Sequence, residues 1–322
     1  MNGYQLLAKV TTAGLFVGLA GAVINQAARA YADDSLAGSD TAIILGGTTE
    51  PMPSTAFAQA AENLFLNPLG FDGGATGSTV CDMIGTDPCA APLQVLTTPE
   101  LIQQGPSSLT AADDVTLAVE NEFNADPGAF SAEDPLTIFG YSQSATAESI
   151  AMTQLEADKN IPTDDLHFVF IGDPSLPGGI WPNLEPDMDA LLGPSLTNTL
   201  LTDFNFDAVL GNLTPDDLYP ATIYSLDTDP VPNFQDVFEA NGLLGALLDI
   251  FGPHVEYLGL TPTEVADATT TTNGDLTLVD ISDGDINNVD AWLSAVFEHG
   301  AAGSGLLESV FESLQLYLTN MF

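Results

Sequence analysis

Residues 135–152, PLTIFGYSQSATAESIAM, restrict this chain more than any other stretch. Leu136, Ile138 and Phe139 follow a Pro and an acidic run and read as a short buried strand, while the Ala-rich, regularly apolar segment 145–152 reads as a helix. Between them stand only Gly140, Tyr141, Ser142, Gln143 and Ser144. A strand that stops at Gly140 and turns at once into a helix forces Ser142 onto a tight, strained corner. Its hydroxyl is then lifted out of the sheet, with the next backbone N–H groups aimed at the same space. An acyl-transfer nucleophile belongs at such a corner. Taken alone, the pentapeptide reads equally well as an ordinary strand–helix turn whose Ser caps the helix. The other two G-x-S triplets, at Gly105 and Gly193, put Pro before the Ser and join no strand to a helix.

The surrounding elements alternate. Residues 41–54, TAIILGGTTEPMPS, carry four apolar residues in a row, as a strand covered on both faces of a parallel sheet would. That strand breaks at Gly46-Gly47, and ligands of open α/β sheets bind at such carboxyl ends. Backbone N–H groups near Thr48 and Thr49 are therefore candidate oxyanion donors, with a plain turn as the alternative. Helices are expected over 55–66 and 109–123, a Gly-, Asp- and Pro-rich loop over 69–92, and a strand within 93–100. Past the elbow, 166–174 reads as a strand ending at Asp173, and 219–234 as one ending at Asp227 and Asp229. A helix around 238–251 then leads to His254. Residues 180–216, with Trp181, Phe204, Phe206, Leu210 and Leu213 spread through them, are expected to form a loop-rich, lid-like insertion. The whole predicts an α/β fold with a central, mostly parallel sheet flanked by helices.

A serine hydroxyl needs a base, and an imidazole needs a carboxylate to fix its tautomer. The chain has three histidines, at 167, 254 and 299. His167 lies inside an expected buried strand and His299 near the end of a tail helix, which leaves His254, in a loop after the last strand–helix unit, as the candidate base. Asp229 is the preferred acid, with Asp227 and Asp173 as alternatives at strand ends. The chain order Ser142, Asp229, His254 is that of α/β-hydrolases.

Charge limits the partners. Three Lys and Arg face 45 Asp and Glu, a formal net charge of −42. Nucleic acid is excluded by charge, and anionic membrane surfaces nearly so. Lys9 is the one charge before an apolar run over 10–24, too short to span a bilayer comfortably, and Ala30-Tyr31-Ala32 supplies a small-x-small pattern. This predicts a secretory signal peptide over 1–32 cleaved after Ala32, the rival being an uncleaved anchor, and a polar linker over 33–40. With the signal gone, Lys159 is the one basic residue left. In an exported chain Cys81 and Cys89 are expected to form a small-loop disulfide. Two Cys without a nearby His make no zinc site, so neither metal nor organic cofactor is expected.

Several separated pieces together resemble the PE-PPE domain of mycobacteria and related actinobacteria, a serine α/β-hydrolase similar to cutinases and lipases. They are AIILGGTTEP (42–51), VLTTPE (95–100), FGYSQSA (139–145), FVFIGDPSLPGG (168–179), LYPATIYSLDTDPVPNF (218–234) and HVEY (254–257). Ser144, where most hydrolases have Gly, is a feature shared with that family. The resemblance implies Ser142 as nucleophile, His254 as base and an acid in the strand exit holding Asp227 and Asp229. It also implies esterase activity on short to medium acyl chains or, in some members, acyl transfer that builds envelope glycolipids. A signal peptide stands where the family's N-terminal helical domain would be, and Thr49 where the family tends to have Gly.

The expected protein is thus a secreted or envelope-associated monomeric esterase, its hydrolase domain over 41–260 and a C-terminal extension over 261–322 whose amphipathic helices pack on that domain. Ser142 would be acylated while the N–H groups of Gln143 and Thr48 hold the oxyanion. With no Arg and one Lys in the mature chain, a neutral lipid or acylated sugar ester fits better than an anionic substrate. An acyltransferase with the same triad and a non-catalytic envelope-binding protein are the alternatives.

Overall fold

The computed structural model describes residues 35–73, 78–250 and 252–282. The expected signal peptide, the tail helices and His299 lie outside the described residues. The chain enters through β1 (Ala42–Ile44) and α1 (Thr55–Ala61), passes β2 (Val80–Asp82) and β3 (Leu93–Val95), and runs along α2 (Gln104–Ala125). It continues through β4 (Leu136–Tyr141), α3 (Gln143–Asp158) and β5 (Leu166–Ile171). Next come α4 (Ile180–Leu192), α5 (Pro194–Asp203), β6 (Ala221–Leu226) and α6 (Phe234–Asp249), then α7 (Pro262–Ala266), β7 (Thr269–Asn273) and β8 (Leu276–Ile281). The sheet order is β2-β3-β1-β4-β5-β6-β8-β7, parallel except for the β7–β8 pair.

The central strands β1, β3, β4, β5 and β6 are buried on both faces, which explains their near-continuous apolar runs. Along β4 and β5 successive residues alternate between two cores. Phe139, Val169 and Ile171 meet Phe57, Phe65, Tyr224 and Tyr257 on one side. Leu136, Ile138, Phe168 and Phe170 meet Ala111, Val115, Met152 and Leu155 of α2 and α3 on the other. From β1 the chain moves outward to β3 in one direction and to β4 in the other. The strand order reverses at this point, and open α/β sheets bind ligands at the carboxyl ends beside such a reversal.

Three expectations are corrected. Residues 180–216 are not loop-rich: α4 and α5 form a helical insertion with a core of its own, in which Ile180, Trp181, Leu184, Met188 and Leu201 pack on Val209, Val231 and Phe234. Pro186 inside α4 and Gly193 between the helices hid them, since both weaken local helix propensity. The loop at 69–92 contains β2, a polar edge strand, and Cys81 in it is bonded to Cys89 across a Cα–Cα distance of 6.3 Å. The boundary at residue 260 falls too early, because β8 pairs with β6 and carries the sheet to Ile281. The exposed Thr-rich β7 offers no apolar alternation to read.

Lys159 pairs with Glu156 at 3.5 Å, the lysine largely and the glutamate partly in solvent, so the pair does little against the carboxylate repulsion. Stability is therefore expected to rise with salt as that repulsion is screened. Thermal melts between 10 mM and 1 M sodium chloride check this: the midpoint should climb, and a flat or falling midpoint contradicts it.

Candidate active site

At the end of β4 the backbone turns sharply, and Ser142 is held at φ 58° and ψ −110°, a conformation that L-residues avoid. Two neighbours make it sustainable. Ser144 Oγ accepts the Tyr141 N–H at 2.8 Å and donates to the Tyr141 carbonyl at 3.1 Å, so the hydroxyl that replaces the usual Gly ties the corner together. Gly140 lies against the Glu148 carboxyl of α3, where a Cβ would come within 2.3 Å of Oε1. Helix α3 can therefore start directly above the strand. Its first N–H, that of Gln143, has no carbonyl in its own helix to bond.

The base arrives from the opposite side. His254 sits in a short 3₁₀ turn (Pro253–Val255), and its Nε2 lies 2.7 Å from Ser142 Oγ. Its ring passes over Gly172 at the end of β5, where φ is +58° and a Cβ would stand 2.9 Å from the imidazole Cε1. A side chain at 172 would push the base away. The Tyr141 hydroxyl donates to the His254 carbonyl and pins the turn from below.

The three acid candidates separate cleanly. Asp229 is fully buried, and its Oδ2 stands 2.8 Å from His254 Nδ1 while Oδ1 accepts the Val231 N–H at 2.9 Å. A carboxylate only accepts, so Nδ1 carries the proton and the Nε2 lone pair faces the serine. Asp227, two residues earlier, is exposed. Asp173 is buried but turned into a different network, accepting the Ser175 N–H at 2.8 Å and the Thr214 hydroxyl at 2.5 Å; burial lifts its carboxyl to about 6. His167 is buried within β5, 3.1 Å from Thr222 Oγ1, and burial lowers its imidazole to about 4.

On the other flank, the turn after β1 closes with the Glu50 N–H on the Gly47 carbonyl. Gly47 packs on the Tyr141 ring, so the turn holding Thr48 borders the elbow. Thr48 Oγ1 accepts from Gln104 Nε2 at 3.0 Å. The Thr49 N–H is committed to the Glu100 carbonyl at 2.6 Å, which leaves Thr48 as the donor candidate of the two. Thr49 has φ 73°, the left-handed conformation that a Gly at this place would adopt without strain.

Two buried acids and one half-buried one, Glu50, around the site escaped the sequence reading. Glu100 is buried, with Oε1 accepting from Thr98, and burial lifts it to about 8. Burial first and Glu100 second lift Glu50 to about 8 as well. Glu148, fully buried, is raised well above the carboxylate range by burial and then by Asp173 and Glu100. Their one sequence signal was position: Glu50 and Glu100 stand just past the carboxyl ends of β1 and β3. Among the described residues no group of His, Cys, Asp and Glu is placed to hold a metal ion.

Those carboxyls set a pH dependence. The folded chain keeps protons on Glu50 and Glu100 that the unfolded chain has released above about 4.5, so stability should fall as pH rises from 4.5 through about 8. Melts at pH 5.5 and 9 in 2 M salt should show the wild-type midpoint dropping and E100Q dropping less. An equal drop in both would refute this cause.

A serine on a β4–α3 elbow, an aspartate after β6 and a histidine further on, hydrogen-bonded in series at the carboxyl edge of a mostly parallel sheet, give the arrangement of an α/β-hydrolase. The PE-PPE domain family model matches residues 88–277, and the chain belongs to that family. It is 29% identical over 257 residues to Esterase PE16 of Mycobacterium tuberculosis, covering 77% of this chain and 42% of that protein. To the uncharacterized PPE family protein PPE28 of the same organism it is 27% identical over 257 residues, covering 78% and 34%. The chain thus spans well under half the length of these curated relatives. A cutinase-like protein from Cryptococcus sp. overlaps with a TM-score of 0.36 at 15% identity, covering 70% of this chain and 97% of that one. The RedJ thioesterase of Streptomyces coelicolor overlaps at 0.34 and 13%, covering 86% and 91%.

Proposed function

We propose that this chain hydrolyses neutral carboxylic esters through an acyl intermediate on Ser142. The unbroken path from Ser142 Oγ to His254 Nε2, and from His254 Nδ1 to Asp229 Oδ2, carries the reading. In the forward half-reaction Nε2 removes the hydroxyl proton as Oγ attacks the ester carbonyl, and the imidazolium is held by Asp229. The N–H groups of Gln143 and Thr48 receive the oxyanion. Nε2–H then protonates the departing alcohol, and the same base activates the water that releases the acid.

The rim and the charge support this substrate class. Met52, Leu101 and Ile102 are 40%, 52% and 41% exposed, and the Leu101 carbonyl accepts from Gln143 Nε2 at 3.0 Å, which places this apolar edge beside the nucleophile. An acyl chain of short to medium length fits such an edge. A net charge of −42 disfavours anionic headgroups. Export by a signal peptide over 1–32, with action at or outside the cell envelope, is the location consistent with a small-loop disulfide.

Turnover of a neutral p-nitrophenyl ester series, with fluorophosphonate labelling mapped by mass spectrometry, tests the proposal. Labelling at Ser142 and a release rate dependent on chain length are expected; an unlabelled Ser142 would point to a non-catalytic binding protein. Adding a sugar acceptor separates the acyltransferase, which would yield an acylated sugar in place of free acid.

A further inference from the structure

Tyr257 is buried against the acid of the candidate triad, and neither the charge relay nor the nucleophile elbow uses it. Its hydroxyl lies 2.7 Å from Asp229 Oδ2, the same oxygen that faces His254 Nδ1. The Leu226 N–H points at the hydroxyl oxygen from 3.0 Å. A backbone N–H can only donate, so it occupies a lone pair of the phenol, and the single phenolic proton is directed to the carboxylate. With Val231 N–H on Oδ1, the carboxylate receives three donors among the described residues: two on Oδ2 and one on Oδ1. The ring stands edge-on to the His254 imidazole, centroids 6.3 Å apart and planes at 86°.

We propose that Tyr257 is a positioning residue for the reaction, holding Asp229 as an oriented carboxylate so that the imidazole presents Nε2 to Ser142. The inference rests on the hydrolase reading above. Burial, and after it Asp229, raises the Tyr257 phenol well above its usual range, so it remains a donor throughout the working pH window. Among the described residues Tyr141 is also packed on the pair, its ring centroid 5.4 Å from that of His254, with Glu50 acting on Tyr141 from beyond. Neither donates to the Asp229 carboxylate: the Tyr141 hydroxyl is spent on the His254 carbonyl.

A donor on the carboxylate favours the state of the Asp229–His254 pair without an added proton, so its removal makes the pair easier to protonate. The test is the pH dependence of kcat/KM and of the fluorophosphonate labelling rate in wild type, Y257F and Y141F. For Y257F the acid limb of both profiles should move up by about one pH unit, with a plateau rate roughly tenfold lower. Y141F loosens the histidine turn and should lower the rate while leaving the limb in place. A fluorotyrosine at 257, a stronger donor of nearly the same shape, should move the limb down, and this arm decides the matter if Y257F does not fold. An unmoved limb in Y257F and in the fluorotyrosine protein, or an equal shift in Y141F, overturns the assignment. Hydrolysis that survives undiminished in S142A would instead overturn the acyl intermediate on Ser142, and this inference with it.

Discussion

In S142A, ester hydrolysis is expected to fall by roughly 10⁴- to 10⁶-fold, with the melting midpoint nearly unchanged. On the proposed mechanism the oxygen removed is the one that attacks, and the neighbouring Ser144 Oγ is committed to both polar groups of the Tyr141 backbone. The Ser142 side chain is half-buried and makes its hydrogen bond to His254, so folding loses little when it goes. H254A should cost about as much, and the double variant no more than either single one, because the two groups act as a unit. Rates of p-nitrophenyl ester release check all three. Additive losses would mean that serine and histidine serve different steps.

The second large effect falls on the acid. D229N should lower kcat by roughly 10³- to 10⁴-fold, since an amide at this place can donate to Nδ1 and force the proton onto Nε2, where it faces the serine hydroxyl. D227N should keep turnover within about twofold, as that side chain lies in solvent. D173N should lose stability without losing the acid's function, because Asp173 organises Ser175 and Thr214 instead of the base. Comparing kcat at 25 °C with the thermal midpoint for the three variants separates them. A D173N enzyme as slow as D229N would move the acid to the end of β5.

Much of this site was legible beforehand because it is written locally. A strand, a five-residue elbow and a helix are adjacent in the chain, and His254 was nearly forced by the scarcity of histidine. The helical insertion was not legible. Its stability comes from Trp181, Leu184, Met188 and Leu201 meeting Val231 and Phe234 from another part of the chain, while Pro186 and Gly193 argue locally against helices. The buried acids were also invisible, since a glutamate reads as surface until its neighbours are known. Glu148 sits on α3 among residues that look like an ordinary helix face, and only the strand beneath removes it from water.

By itself the sequence determined the parallel sheet, the elbow and the choice of Ser142 and His254 as the candidate pair, because apolar runs and backbone corners are encoded in neighbouring residues. Only the tertiary structure decided which of three strand-end aspartates meets the imidazole, and that Tyr257 donates to the same carboxylate. A hydrogen bond depends on distances of a few tenths of an ångström between segments far apart in the chain. Those distances are set by how the turn after β6 and the 3₁₀ turn at His254 pack together, and spacing along the sequence does not contain them.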